Sequence, residues 1–176
     1  CFFLYCLIIL YPDFYCKNIK DVDIEKLKEN NIKGIILDVD NTLIDLDRKL
    51  LEGAEEWCNN LKEPNIKFCI LSNSNKKEKV KKVAKLLDIP YIYFGTKPLK
   101  RGFKKAKEML NLPFNELAII GDQIFTDVIG GNRCKMYTIL VEPISTREIF
   151  ITYIKRGLEN KIIKQYKKKH QKEKEG

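Results

Sequence analysis

Two carboxylates stand two residues apart in ILDVDNTLID, residues 36–45, at the end of an apolar run. Asp38 and Asp40 flank Val39, and Asn41 and Thr42 follow. Like charges at that spacing repel unless a cation lies between them. The ordinary alternative is an Asx-type acidic turn. Three other places have the same setting, a polar group just beyond an apolar run: Ser72-Asn73, Lys97-Pro98, and Gly121-Asp122 followed by Thr126-Asp127. Clustered carboxylates joined by a hydroxyl and an ammonium would suit an anionic group held against a divalent ion. Oxygen ligands favour Mg²⁺ over zinc. A chain with one His and no C-x-x-C pair offers zinc little.

These groups converge only if the runs before them are neighbouring strands. GIIL within KGIILDV is β-branched and apolar throughout, as a parallel strand buried on both faces requires. IKFCILS, YIYF, LAIIG and MYTILVEP read as four more strands. Helical patterns lie before and between them: DVDIEKLKENN, GAEEWCNNLKE, NKKEKVKKVAKLLD with a capping box from Asn75 to Glu78, KRGFKKAKEML, and QIFTDVIGG with glycine at its end. Strands alternating with helices predict an α/β fold, a doubly wound parallel sheet of about five strands. Ligands of such sheets bind beyond the carboxyl ends of the strands, where these polar residues stand. Each signature alone has an ordinary explanation: an Asx turn for Asp40-Asn41, helix caps for Ser72-Asn73 and Asp122, a surface lysine for Lys97. Their shared order on alternating elements favours the site.

D-x-D-x-T after one strand, Ser after the next, then Lys, then G-D-x-x-x-T-D resembles the haloacid dehalogenase (HAD) superfamily of phosphotransferases. The stretches YPDFYCKNIKDVDIEKLKENNIKGIILDVDNTL, KPLKRGFKKA, GDQIFTDVIGGNR and YTILVEPIS are similar to the YqeG family of subclass IIIA phosphatases. That likeness covers about residues 11–165. The family is related to the mitochondrial phosphatidylglycerophosphate phosphatases. The resemblance implies a HAD-like Rossmannoid fold and a Mg²⁺-dependent phosphomonoester hydrolase. It implies Asp38 as nucleophile and metal ligand, forming an aspartyl-phosphate. Asp40 would be general acid and base, reaching the metal through its backbone carbonyl. Asn41, Thr42, Ser72, Asn73 and Lys97 would bind phosphate, with Lys100 as the fallback for Lys97. Asp122 would be the third metal ligand, and Asp127 would support it or bind Lys97. One helix fills the gap from Asp38 to Ser72, and another that from Ser72 to Lys97, so no cap domain is expected. An open site suits a bulky or presented substrate, a phospholipid among them. The alternatives are a phosphatase of a sugar phosphate, nucleotide or phosphoprotein, and a nucleic-acid-binding protein using its basic tail. No aromatic-basic RNA-binding motif supports the last.

The 176 residues suffice for one domain, with 33 Lys and Arg against 24 Asp and Glu, a net charge of +9. Residues 161–176 hold seven Lys and two Glu. Such a tail points to an anionic partner or to a solvated terminus. Six cysteines without paired spacing suit a reducing cytoplasm, and Cys69 reads as core. The eleven apolar residues before Pro12 are fewer than the roughly twenty a bilayer needs. They lack the basic start and cleavage site of a signal peptide. They read as a strand or packing segment first and as a shallow membrane contact second. The sequence opens on Cys1 rather than Met, leaving the natural start open. The chain thus divides into a lead-in over 1–17, a phosphatase domain over 18–145, and an amphipathic helix with basic tail over 146–176. That last helix is expected to open with a capping box from Ser145 to Glu148. Its apolar stripe is Phe150, Tyr153, Ile154, Leu158 and Ile162. Peripheral contact at an anionic membrane needs no spanning helix.

Overall fold

The computed structural model describes residues 9–145, 157 and 159–168. Six parallel strands form one sheet: β1 (Phe14–Cys16), β2 (Gly34–Leu37), β3 (Lys67–Leu71), β4 (Tyr91–Ile92), β5 (Leu117–Gly121) and β6 (Tyr137–Val141). Their order is β1-β6-β5-β2-β3-β4. This is one strand more than the sequence suggests. The extra strand, β1, lies inside the 1–17 lead-in but beyond its apolar run and Pro12, and pairs with β6 from Phe14↔Ile139 to Cys16↔Val141. A three-residue strand carries too little alternation to be read from sequence; its place is set by pairing.

The chain leaves β2 toward β3 and β4, then returns across the sheet to β5 and β6. The strand order therefore reverses beside β2, between β2 and β5, where an open α/β sheet leaves a crevice. Alternate residues of the strands serve opposite layers. Ile35, Leu37, Phe68 and Ile70 face α1 (Ile24–Glu29), α2 (Ala54–Lys62) and α3 (Lys77–Leu87). Ile36, Cys69, Leu71 and Ile119 face α4 (Lys100–Leu110) through Phe103, Ala106 and Leu110. Burial on both faces is why these strands are apolar at every position. Cys69 is fully buried, and that burial pushes its thiol up to about 12, as a core residue.

Two local expectations are corrected. The Asn75–Glu78 capping box does not form, because α3 starts at Lys77, one residue too late for Asn75 to be its N-cap. The turns before it are closed instead by serine hydroxyls: Ser72 Oγ accepts from Ser74 N at 3.2 Å, and Ser74 Oγ accepts from Lys76 N at 3.2 Å. The helix expected over 123–131 is a π turn, Ile124–Val128, followed by α5 (Ile129–Arg133). Gly130 lies inside α5, not at its end, because a Cβ there would strike the ring of Phe103.

A last helix, α6, covers 159–168. Ile162 and Ile163 pack with Ile124, Val128, Leu140 and Tyr15. Tyr166 is buried, its ring 6.0 Å from that of Tyr11. The apolar side of this segment is thus spent on the protein's own body. Phe150, Tyr153, Ile154 and Leu158 of the expected stripe, and Glu148 of the expected capping box, lie outside the described residues. Among the described residues, no helix is long and apolar enough to cross a membrane.

Candidate active site

Register brings the acids together. Leu37 pairs with Ile120, so the residues following them, Asp38 and Gly121-Asp122, emerge side by side at the reversal point. Asp38 N donates to Ile120 O at 2.9 Å, extending the ladder to the first acid. Leu37 also pairs with Ile70, which puts Ser72 on the next strand tip. β4 holds Ser72 N through Ile92 O at 2.9 Å. The loop from Tyr93 to Leu99 then returns toward the centre, tied by Gly95 N to Ser72 O at 2.8 Å.

Lys97 is the centre of the cluster. Its Nζ is 2.5 Å from Asp38 Oδ1 and 2.6 Å from Asp127 Oδ1, with 1% of its side chain exposed. Asp38, Asp122 and Asp127 each place a carboxylate oxygen within 4.8 Å of the others, and all three are buried. When ionised, three carboxylates against one ammonium leave two charges uncompensated in a dry place. Burial pushes the Asp38 carboxyl up to about 7; Lys97 opposes this, and Asp127 and Asp122 add to it. Burial would pull the Lys97 ammonium down, but Asp127 and Asp38 outweigh it and hold it protonated. An all-oxygen set short of two positive charges fits a hard divalent cation. Asp38 and Asp122 would hold it, with Asp127 beside them.

Asp40 does not join that side-chain cluster. Its carboxylate is half exposed and gripped at both oxygens by Lys79 Nζ, at 2.5 and 2.7 Å. Lys79 stands on the first turn of α3 and was not singled out by sequence; one lysine in a run of six over 76–85 carries no distinguishing signal. Asn41 takes a left-handed conformation, φ 59°, and its N–H donates to Ile44 O at 2.8 Å. Among the described residues, Asn41 Oδ1 and Thr42 Oγ are buried with no hydrogen-bond partner. A buried hydroxyl without a partner is costly unless a ligand satisfies it, which suits a phosphate oxygen.

Asn73 has a second task. Its side chain bonds the Lys97 backbone twice: Lys97 N donates to Oδ1 at 2.7 Å, and Nδ2 donates to Lys97 O at 2.9 Å. It thereby clamps the loop that delivers the ammonium. Lys100, the fallback for Lys97, is exposed at the start of α4. Glu159 of α6 was also missed by sequence. It is buried, and Oε1 accepts from Ile124 N at 3.0 Å, steadying the turn between Asp122 and Asp127.

A parallel sheet with acids and one buried lysine at its carboxyl rim places the molecule among the HAD-type phosphatases. Residues 46–135 match the family model described as haloacid dehalogenase-like hydrolase. The chain is 43% identical over 159 residues to the probable phosphatase YqeG of Bacillus subtilis (strain 168), spanning 90% of this chain and 92% of that one. It belongs to that family of haloacid dehalogenase-like phosphatases. It is also 28% identical over 170 residues to phosphatidylglycerophosphate phosphatase 1, chloroplastic/mitochondrial, of Arabidopsis thaliana. That match takes in 90% of this chain but 48% of the plant protein. The fold recurs in the crystal structure of an uncharacterized protein from Listeria monocytogenes serotype 4b, with a TM-score of 0.55 and 20% identity. That likeness spans 67% of this chain and 85% of the other.

Proposed function

We propose that this chain is a Mg²⁺-dependent phosphomonoester hydrolase acting through an aspartyl-phosphate on Asp38, with phosphatidylglycerophosphate as substrate. The observation that carries the chemistry is the buried Lys97 ammonium between Asp38 and Asp127, with Asp122 alongside. Bound at Asp38, Asp122 and the Asp40 backbone carbonyl, a divalent ion would offset the charge of the phosphate and lower the repulsion that an attacking carboxylate meets. Asp38 Oδ attacks phosphorus, and the ester oxygen departs with the proton that Asp40 donates. Water then attacks the acyl-phosphate as Asp40 takes its proton, releasing inorganic phosphate and restoring Asp38. Lys97 faces the charge that grows on the phosphoryl oxygens, and Thr42 and Ser72 donate hydroxyl hydrogen bonds to them. Asn41 and Asn73 shape the two loops that would face the same oxygens. Asp127 keeps Lys97 in place.

The choice of a lipid ester rests on the likeness to the plant phosphatidylglycerophosphate phosphatase and on an uncapped rim. One helix each occupies the stretches from Asp38 to Ser72 and from Ser72 to Lys97. Work at the inner face of a membrane from the cytoplasm fits the four described cysteines, all buried thiols. The test is phosphate release from phosphatidylglycerophosphate in mixed micelles with Mg²⁺, beside a panel of sugar phosphates, nucleotides and phosphopeptides. Lipid turnover that Asp38→Asn abolishes is expected. Turnover retained by that variant removes Asp38 as nucleophile, and preference for a soluble ester overturns the lipid substrate.

A further inference from the structure

Three of the six large exposed apolar side chains among the described residues stand on one loop beside the site. Phe94 is the most exposed large apolar side chain at 65%, Leu99 follows at 56%, and Tyr93 shows 41%. All three stand on the loop between β4 and α4 that carries Lys97 to Asp38. Gly95 N to Ser72 O and Phe94 N to Ser74 O, 2.8 and 2.9 Å, tie this loop to the neighbouring strand tip. A groove of about 980 Å³ runs along it, bordered by Lys77, Tyr93, Phe94, Thr96, Arg101 and Lys105.

The charge there is mostly positive, with Glu108 the one acidic residue on the groove's lining. Between Asp88 and Glu108 the sequence holds no acidic residue, and Lys100, Arg101, Lys104 and Lys105 are all exposed on α4. Lys76 and Lys77 add two cations at the start of α3, the Lys77 Nζ 5.6 Å from the centre of the Tyr93 ring. Aromatic and leucine side chains set among lysines and arginines are the composition of surfaces that sit at a lipid headgroup layer. The apolar rings enter the acyl boundary while the long basic stems reach phosphates. The described part of α6 offers no such apolar face, since it lays Ile162, Ile163 and Tyr166 on the protein's own body.

We propose that the Tyr93–Arg101 rim is a docking surface for an anionic bilayer, turning the open site toward the lipid. The rim deepens the phosphatidylglycerophosphate reading and rests on it for its purpose, but its test needs no turnover. The full chain is floated with vesicles of phosphatidylcholine doped with phosphatidylglycerol, and with phosphatidylcholine alone. Wild type is expected to float with the anionic vesicles only, less so as salt rises. Phe94→Asp with Leu99→Asp, and separately Lys100→Glu with Arg101→Glu, are each expected to lower partitioning by about tenfold or more. Leu86→Asp, at an exposed apolar site near the C-terminal end of α3, is expected to leave it unchanged. Circular dichroism melts check that each variant is folded; the charge-reversal pair keeps the test intact should the apolar pair fail to fold. Wild type that does not float overturns the proposal. So does a folded rim variant that floats like wild type, which would move binding to the basic tail. Rim-dependent flotation without phosphatase turnover would sink the catalytic reading alone and leave the docking surface standing.

Discussion

Lys79 Nζ lies 2.5 Å from one oxygen of the Asp40 carboxylate and 2.7 Å from the other, joining α3 to the loop that follows β2. This grip keeps the Asp40 side chain apart from the Asp38, Asp122 and Asp127 cluster, where the proposed general acid would otherwise be drawn onto a bound ion. On the proposed mechanism it would also fix the direction in which the carboxyl meets the departing oxygen.

Lys79→Ala should therefore slow hydrolysis in a way that depends on the leaving group. Alkyl phosphates, whose alkoxides need protonation, are expected to lose about tenfold or more in kcat. p-Nitrophenyl phosphate, which leaves without help, should change little. Lys79→Arg should recover part of the loss. Equal losses on both esters, expressed in KM, would instead make Lys79 a substrate-binding residue. The measurement is a series of kcat values against leaving-group acidity.

Lys97→Met removes the ammonium from between two buried carboxylates. Breaking a buried pair from one side costs about 3–5 kcal/mol, because the remaining charge is left uncompensated. The variant's denaturant midpoint, in chelator, should fall accordingly. Asp127→Asn in the Lys97→Met background should restore much of that stability while leaving turnover absent. A Lys97→Met protein as stable as wild type would show that the acids are already neutral.

Stability without metal should depend on pH through Asp38. Its carboxyl is pushed up to about 7 by burial, above the ordinary 3.8, so the folded protein holds this proton more tightly than the unfolded chain. A raised folded value contributes stability that is complete below the unfolded value and fades as pH climbs through about 7. Thermal melts in chelator should thus decline from pH 4 toward pH 7 more steeply for wild type than for Asp38→Asn. Added Mg²⁺ should act in the opposite sense, stabilising more as pH rises, since a ligand carboxylate must be ionised. Parallel wild-type and Asp38→Asn curves would contradict the raised value.

Gly102 allows the loop before Lys97 to lie against α4. A Cβ at this position would run into the backbone oxygen of Gly95. Backbone cannot rotate away, so Gly102→Ala should displace the 95–97 segment and with it the ammonium. Activity is expected to fall by about a hundredfold, in keeping with a shift on the order of 1 Å at a catalytic group. The melting temperature should drop by only a few degrees. Wild-type turnover in Gly102→Ala would show that the loop has slack.

The strand-tip residues were legible because each follows a run of apolar residues that only a doubly covered parallel strand tolerates. Asp38, Ser72 and Asp122 could be read as neighbours in this way, and Lys97 through the third strand. The two roles open to Asp127 are not exclusive here: it contacts Lys97 and also stands within 4.8 Å of Asp122. Sequence also carried the core, since Val80, Val83, Ala84 and Leu87 repeat at the helical period and are buried on α3. It misjudged the start of that helix, where two serine turns form in place of the asparagine cap.

Composition and spacing by themselves determined five of the sheet's strands and the order of their polar tips, because burial on two faces and charge repulsion are local demands. Tertiary structure alone decided that Lys79 holds Asp40, that Asn73 clamps the Lys97 backbone, that Phe14–Cys16 closes the sheet edge and that Glu159 returns to the turn after Asp122. These are contacts between distant segments, made by residues of common type in unremarkable surroundings. Only the packing of helices on the sheet selects which of many lysines, asparagines and glutamates meets its partner.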